Sequence, residues 1–514
     1  MWRKLIPQPR LIETKSGAVR PPEPIAVHGA TLSDYAIGRM DQAVCRVFGL
    51  EGPRLVRAQS STAAWLVLLA ADIDTGAYEL EVKPTGAVLR HSDNAGLAAG
   101  MATLAQALAL AAGGEGAASD LPCVRIHDQA VFEWRGFMFD LARHFFPMES
   151  VQSFLDVAWL YKINRYHLHL TDDQGWRLPV DGYERLTAVG AYRSDQTSND
   201  GRYGGFYDVD ELRSLAADAC ALGVTLVPEI DLPGHGSAAL AAYPELGCGG
   251  ASRHVETRWG IFDAVICASS LAARRFIEAC YQGVRDVFDT PYLHIGGDEV
   301  VEEPWRRCSR CSALEQPYQE IVRFMADTAI SAGFRPVAWD EAAGLDLPVE
   351  TIIVNWRGVE NARIARNRGY EVVFAPQQAR AYLDHKHLDS DLEPGRLGVC
   401  TVENSASFVP PTTTAEVVPP TAPAEAEGAE VETPGGGRIK AADNVLGGQA
   451  NLWTEAIPYH RHAEYMGLVR LLAIAEGLWA GRPAHDRRDF YVDLELHRRL
   501  LSNAGHSVYR GPIT

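Results

Sequence analysis

Two acidic residues stand side by side at the end of an apolar run, in His294-Ile295-Gly296-Gly297-Asp298-Glu299. Carboxyl groups held in a cleft do acid–base work. Cleaving a glycosidic bond usually takes two of them: one protonates the leaving oxygen and the other deals with the anomeric carbon, a direct nucleophile sitting about 5–5.5 Å from the acid. Asp298 and Glu299 are chain neighbours, and neighbours on a strand point to opposite faces unless the loop turns them. They are poorly placed to act as acid and nucleophile across one bond. The run YEVVFAP, further along, ends without a carboxylate to take that part. A neighbouring group on the substrate is the economical attacker.

Other apolar runs also end in polar or aromatic groups: Asp140 and Arg143, Asp172, Asp231 and His235, Trp339, Trp356, and Trp453 with Glu455. Tyr382 follows the seventh run. Three tryptophans at matching ends suggest walls around an apolar substituent and a sugar face.

The elements that must position these groups alternate. Strand-like runs are WRGFMFDLA, NRYHLHLTDD, GVTLVPEIDLP, YLHIGGDEV, RPVAWDE, TIIVNWRG, YEVVFAP and VLGGQANLWTE, with helical periodicities such as ESVQSFLDVAWLYKI, DVDELRSLAADACAL and SLAARRFIEACYQGVRDVF between them. Short buried runs alternating with amphipathic helices mark a parallel sheet covered by helices, and eight strands close a TIM barrel whose C-terminal strand ends converge on the active site. A doubly wound open sheet is the competitor, but its Gly-rich dinucleotide turn is absent. The expected fold is α/β, a (β/α)8 barrel over 131–500. A small α+β domain over 1–128 precedes it, an antiparallel sheet with a covering helix. The strands of that domain are read in TAAWLVLLAADI and YELEVKPTGAVLRHS, and its helix in GLAAGMATLAQALALAAG, ended by Gly113 and Gly114. Residues 408–438, rich in Pro, Thr, Ala and Glu, read as a mobile or disordered loop between the seventh and eighth strands.

Length and composition agree. A chain of 514 residues, 47% hydrophobic and 22% charged, is the material of a globular protein with two domains. A formal charge of −18 argues against a nucleic-acid partner. No run approaches the roughly 20 apolar residues that cross a bilayer, so no membrane is expected, and the N-terminus carries no leader-like apolar core, which makes the cytoplasm the default location. Nine cysteines, an odd count scattered from Cys45 to Cys400, fit reduced thiols. Cys308-x-x-Cys311 lacks two further ligands at similar spacing and reads as a loop rather than a zinc site. His167-x-His169 could in principle bind metal on a strand, but the fifth and sixth runs end in Trp, and core histidines are the better reading. No metal and no cofactor are expected.

RGFMFDLARHFFP, YKINRYHLHLTDDQGWR, VPEIDLPGHGSAAL, HIGGDEV and NLWTE occur in an order that resembles the glycoside hydrolase family 20 β-N-acetylhexosaminidases, from about residue 131 to 480. The N-terminal unit resembles the small α+β domain that precedes the barrel in that family. The resemblance implies an exo-acting, retaining enzyme that removes terminal β-linked GlcNAc or GalNAc from a carbohydrate substrate through an oxazolinium intermediate. It implies that Glu299 is the general acid/base and that Asp298 orients the 2-acetamido group, whose carbonyl oxygen attacks. Tyr382 would hydrogen-bond that oxygen, and Trp339, Trp356 and Trp453 would wall the acetamido group and sugar ring. Arg143, Asp384 and Glu455 would hold the outer hydroxyls, and Asp172 with His235 would form a relay supporting Glu299. This sequence departs from the pattern at Gly236, after His235, at Asn355, before Trp356, and in the Pro-rich loop. A disaccharide-releasing relative, such as a lacto-N-biosidase, and a carbohydrate-binding protein that has lost the chemistry are the alternatives.

Overall fold

The computed structural model describes residues 1–50, 54–112, 120–198, 201–378, 380–411 and 443–513. The eight apolar runs of the larger unit become eight strands: β1 (Trp134–Asp140), β2 (Arg165–His169), β3 (Thr225–Leu232), β4 (Tyr292–Gly296), β5 (Arg335–Trp339), β6 (Ile352–Asn355), β7 (Glu371–Phe374) and β8 (Val445–Leu452). They are buried along nearly their whole length, which is why they read as continuous apolar runs rather than alternating ones. Each pairs in parallel with the next, and β8 closes on β1, giving a barrel. The register sets His169 of β2, Glu229 of β3 and His294 of β4 level with one another. A small apolar plug fills the interior, including Met138, Val227, Val337, Ile352 and Val373.

Long helices cover β1 to β4 and β8: Met148–Leu160, Val209–Ala221, Leu271–Val287, Pro317–Ser331 and His460–Ala480. Local chemistry starts them. Asp208 and Glu211 form a capping box, and the Ser270 hydroxyl accepts from the Ala273 amide. The ring is uneven. A short 3-10 helix, Asp340–Gly344, stands between β5 and β6 in place of a long α-helix, and among the described residues the only helix between β7 and β8 is Val402–Ala406. The Pro-rich segment read as a loop between those strands lies, over 412–438, outside the described residues.

The N-terminal unit is a seven-stranded sheet in the spatial order Leu11–Val19, Leu121–Asp128, Tyr78–Lys83, Gly86–His91, Leu66–Ala70, Ile25–His28, Leu55–Arg57. The expected hairpin forms, with Lys83 opposite Gly86. The sheet is mixed, however, not antiparallel, and two helices cover it instead of one. Ile25–His28 and Leu55–Arg57 run parallel because the helix Asp34–Phe48 crosses between them and returns the chain to the same end. The other helix, Asn94–Ala112, is long and apolar enough to cross a bilayer, contrary to the sequence expectation, but it is largely buried against the sheet and the barrel helix Met148–Leu160. Gly113 and Gly114, read as its terminators, lie outside the described residues. Buried ion pairs tie the two units: Arg39 bonds Asp156, and its Nε lies 3.0 Å from Asp218.

Candidate active site

β4 ends at two glycines with positive φ, 74° at Gly296 and 98° at Gly297. A Cβ at Gly296 would meet Asp231 Oδ1 at 1.9 Å, so only glycine fits. This turn cancels the strand alternation. Asp298 and Glu299 both line one cavity of about 640 Å³ at the C-terminal mouth of the barrel, with Arg143, Gln174, Trp339, Trp356, Tyr382, Arg396, Trp453 and Glu455 among its walls. The expectation that neighbouring carboxylates diverge is thereby corrected, because the chain has left the strand before it reaches them.

β3 supplies what lies behind them. Glu229 is fully buried and gathers the core: His167 Nε2 lies at 2.9 Å, His294 Nδ1 at 2.9 Å, and Trp339 Nε1 donates at 2.8 Å, while His169 Nδ1 is also bonded to it. His167 and His169 are therefore members of a buried hydrogen-bonded network, and the network fixes the Trp339 plate. Two residues on, Asp231 comes within 4.8 Å of Asp298 and His235. Burial and the neighbouring Asp298 charge push the Asp231 carboxyl well up. Burial also raises Asp298, although the His235 cation opposes it.

Past the strand, His235 sits at φ 45°. Its Nδ1 is 3.1 Å from Asp173 Oδ2 and 3.3 Å from Asp172 Oδ1; its Nε2 is 3.5 Å from Glu299 Oε2 and 3.7 Å from Asp298 Oδ2. Burial disfavours the imidazolium, but Asp172 and Asp231 outweigh it and hold His235 well above its ordinary value. Burial would raise Glu299, yet the hydrogen bond and charge of His235, with Arg143, leave its carboxyl below the usual range. The structure thus joins Asp172, His235 and Glu299 in a line, and adds Asp173 as the nearer partner of the imidazole.

Four aromatic rings make a box. Trp339 and Trp453 have centroids 5.8 Å apart, Tyr382 and Trp453 6.3 Å, and Trp356 stacks on Tyr382 at 6.5 Å. Trp356 Nε1 donates to Glu341 Oε2 at 3.1 Å; burial, with Asp298 and Asp340, pushes Glu341 up to about 8.

The polar wall differs from expectation. Arg143 is held over the Trp453 ring by Asp172, 2.8 Å from its Nη2. Asp384 is fully buried and does not line the cavity. Arg396, which has no counterpart among the residues read from the sequence, stands in front of it, with Nε 3.4 Å from Asp384 Oδ2 and Nη1 2.6 Å from Glu455 Oε1. Burial raises Asp384 to about 7, Arg396 pulling against it and Glu455 adding to it.

The sequence departures have structural reasons. A Cβ at Gly236 would lie 2.7 Å from the Ala264 carbonyl oxygen, and Asn355 Nδ2 donates to Asp340 at 2.6 Å and to the Gly358 carbonyl at 2.8 Å. One expectation is overturned: Cys308 and Cys311 do have further potential ligands beside them, in Cys248 and Cys267.

A closed parallel barrel with carboxylates, an arginine and an aromatic box at its C-terminal mouth defines the class as a TIM-barrel glycosidase. The profile of the glycosyl hydrolase family 20 catalytic domain matches residues 132–482, and that of the family's domain 2 matches residues 3–129. The chain belongs to glycosyl hydrolase family 20. It is 34% identical over 381 residues to a β-hexosaminidase of Porphyromonas gingivalis, covering 72% of this chain but 46% of that protein. A β-hexosaminidase of Akkermansia muciniphila is 31% identical over 467 residues, 87% of this chain and 89% of that one. The crystal structure of a GH20 exo-β-N-acetylglucosaminidase from Vibrio harveyi in complex with N-acetylglucosamine superposes with a TM-score of 0.82 at 27% identity, over 99% of this chain and 79% of that one.

Proposed function

We propose that the protein is an exo-acting, retaining β-N-acetylhexosaminidase that releases terminal β-linked GlcNAc or GalNAc. The observation that carries this reading is the turn that brings Asp298 and Glu299 into one cavity beside the Trp339–Trp356–Tyr382–Trp453 box. Substrate assistance is a property of the family rather than a deduction from this geometry.

In this reading Glu299 delivers its proton to the glycosidic oxygen as the bond to the anomeric carbon breaks. The acetamido carbonyl oxygen bonds to that carbon, and Asp298 accepts from the acetamido N–H as its nitrogen becomes positive. Tyr382 donates to the acetamido oxygen, and the aromatic walls exclude water from it. Water then attacks the anomeric carbon, Glu299 takes its proton, and the ring opens with the original configuration restored. Arg143 and Glu455 bind outer hydroxyls, with Arg396 beside them and Asp384 acting through Arg396. A second recess shares Ile261, Glu299 and Trp356 with the main cavity and continues past Val300 and Tyr318; it offers the leaving group a place on the proton-donating side.

Matched aryl β-glycosides of GlcNAc, GalNAc and glucose test the assignment. Cleavage confined to the two N-acetyl sugars is expected, and efficient hydrolysis of the glucoside would overturn it.

A further inference from the structure

Four cysteines from two different loops meet outside the sugar cavity. Cys248 and Cys267 flank the long excursion after β3. Cys308 and Cys311 follow the short helix Glu303–Arg307 after β4. Their sulfurs all lie within 4.8 Å of one another, with Cys311 Sγ 3.8 Å from Cys248 Sγ and 3.5 Å from Cys267 Sγ. Zinc–sulfur bonds of about 2.3 Å in a tetrahedron set sulfurs about 3.8 Å apart, whereas a disulfide needs about 2.05 Å. The spacing suits a shared central ion. Two of the four belong to a C-x-x-C turn, the usual knuckle of a structural zinc site.

The surroundings also fit. Arg310 Nη2 lies 3.7 Å from Cys267 Sγ, and Ser269 Oγ lies 3.4 Å from Cys311 Sγ and 3.6 Å from Cys267 Sγ. A cation and a hydroxyl beside the sulfurs are what a doubly negative tetrathiolate centre requires around it. A surface recess lined by Cys248, Cys308 and Arg310 gives an ion a path in.

We propose that Cys248, Cys267, Cys308 and Cys311 bind one structural zinc ion. The ion would have no open coordination position and no part in the chemical step. Its role is mechanical. The segment between Cys248 and Cys267 carries Trp259, Gly260 and Ile261 to the cavity wall, and the segment bearing Cys308 and Cys311 descends directly from Glu299. Among the described residues the Trp305 indole also links the two, donating to the Ile266 carbonyl at 2.9 Å. Zinc would lock the loop bearing the cavity wall to the loop bearing Glu299.

The test is elemental analysis of the full chain, purified without chelator under reducing conditions. About one zinc per chain is expected, released on titration with a mercurial and absent from C308S/C311S. Should that variant fail to fold, the wild type reconstituted with cobalt should show thiolate-to-metal charge-transfer absorption. A folded metal-free chain should also become cleavable by protease between residues 248 and 267. Metal-free wild-type protein with these cysteines titrating as free thiols, or alkylation showing them paired as disulfides, would overturn the proposal. So would zinc retained in a folded C308S/C311S, or iron in place of zinc.

Discussion

His235 Nε2 lies 3.5 Å from Glu299 Oε2, and both residues occupy the left-handed backbone region, at φ 45° and 47°. Such a conformation costs a non-glycine residue on the order of 1 kcal/mol, and two partners that share it mark a contact upheld by the surrounding structure. Asp172, Asp173 and Asp231 gather around the imidazole; Asp172 and Asp231 raise His235 against its burial, and His235 in turn holds the Glu299 carboxyl below the usual carboxylate range. In the proposed mechanism, a leaving group that fills the space beside Glu299 would exclude water and raise its carboxyl, favouring the protonated form that a general acid needs.

Replacing His235 with Asn tests this pairing, because Asn tolerates positive φ and removes the cation. His235 holds Glu299 down, so the ionisation of Glu299 in the pH profile of kcat/KM should move upward in H235N. An unmoved profile would make His235 a purely structural residue.

Glu299→Gln keeps the shape and removes the proton. The loss should be about 10²–10⁴-fold for substrates with poor leaving groups and much smaller in the cleavage step of activated aryl glycosides. Kinetics over a series of leaving-group pKa values provides the check, and equal losses throughout would remove Glu299 from the acid role.

Asp298→Asn leaves an acceptor but no charge to balance the acetamido nitrogen. A fall in kcat of about 10²–10³-fold is expected, the scale of one preorganised electrostatic contact, with KM changed far less. Steady-state kinetics on an aryl N-acetylglucosaminide would show it.

Asp384 gives a stability signature. Burial raises it from 3.8 to about 7 in the fold. Between those values the folded chain keeps a proton that the unfolded chain has lost, so this group costs stability as pH rises through the window. The amide of D384N cannot titrate. Wild-type Tm minus D384N Tm should therefore decrease from pH 4 to pH 7.5, and a constant difference would contradict the shift.

The barrel was legible because its strands are short buried runs ending in chemistry, and the register then aligned His169, Glu229 and His294. Glu229 itself passed unremarked, although it shares a face with Asp231 two residues on, because its partners lie on other strands. Leu11–Val19 was invisible for the opposite reason: nearly all of its residues are exposed, and no apolar alternation announces it. Arg396 opens a short strand, Arg396–Val399, that pairs with His385–Lys386 after β7, too short for its periodicity to announce it. The four cysteines show the same limit, since two lie more than forty positions before the C-x-x-C and only folding of the loops after β3 and β4 brings them together.

The central claim is that the substrate's own acetamido oxygen attacks the anomeric carbon. It is tested most directly with aryl β-glucosaminides whose N-acetyl group carries zero, one, two or three fluorines. Each fluorine withdraws electrons from the carbonyl oxygen, so kcat/KM should fall steeply along the series. A rate indifferent to fluorination would contradict the account, because a protein nucleophile would not feel the change.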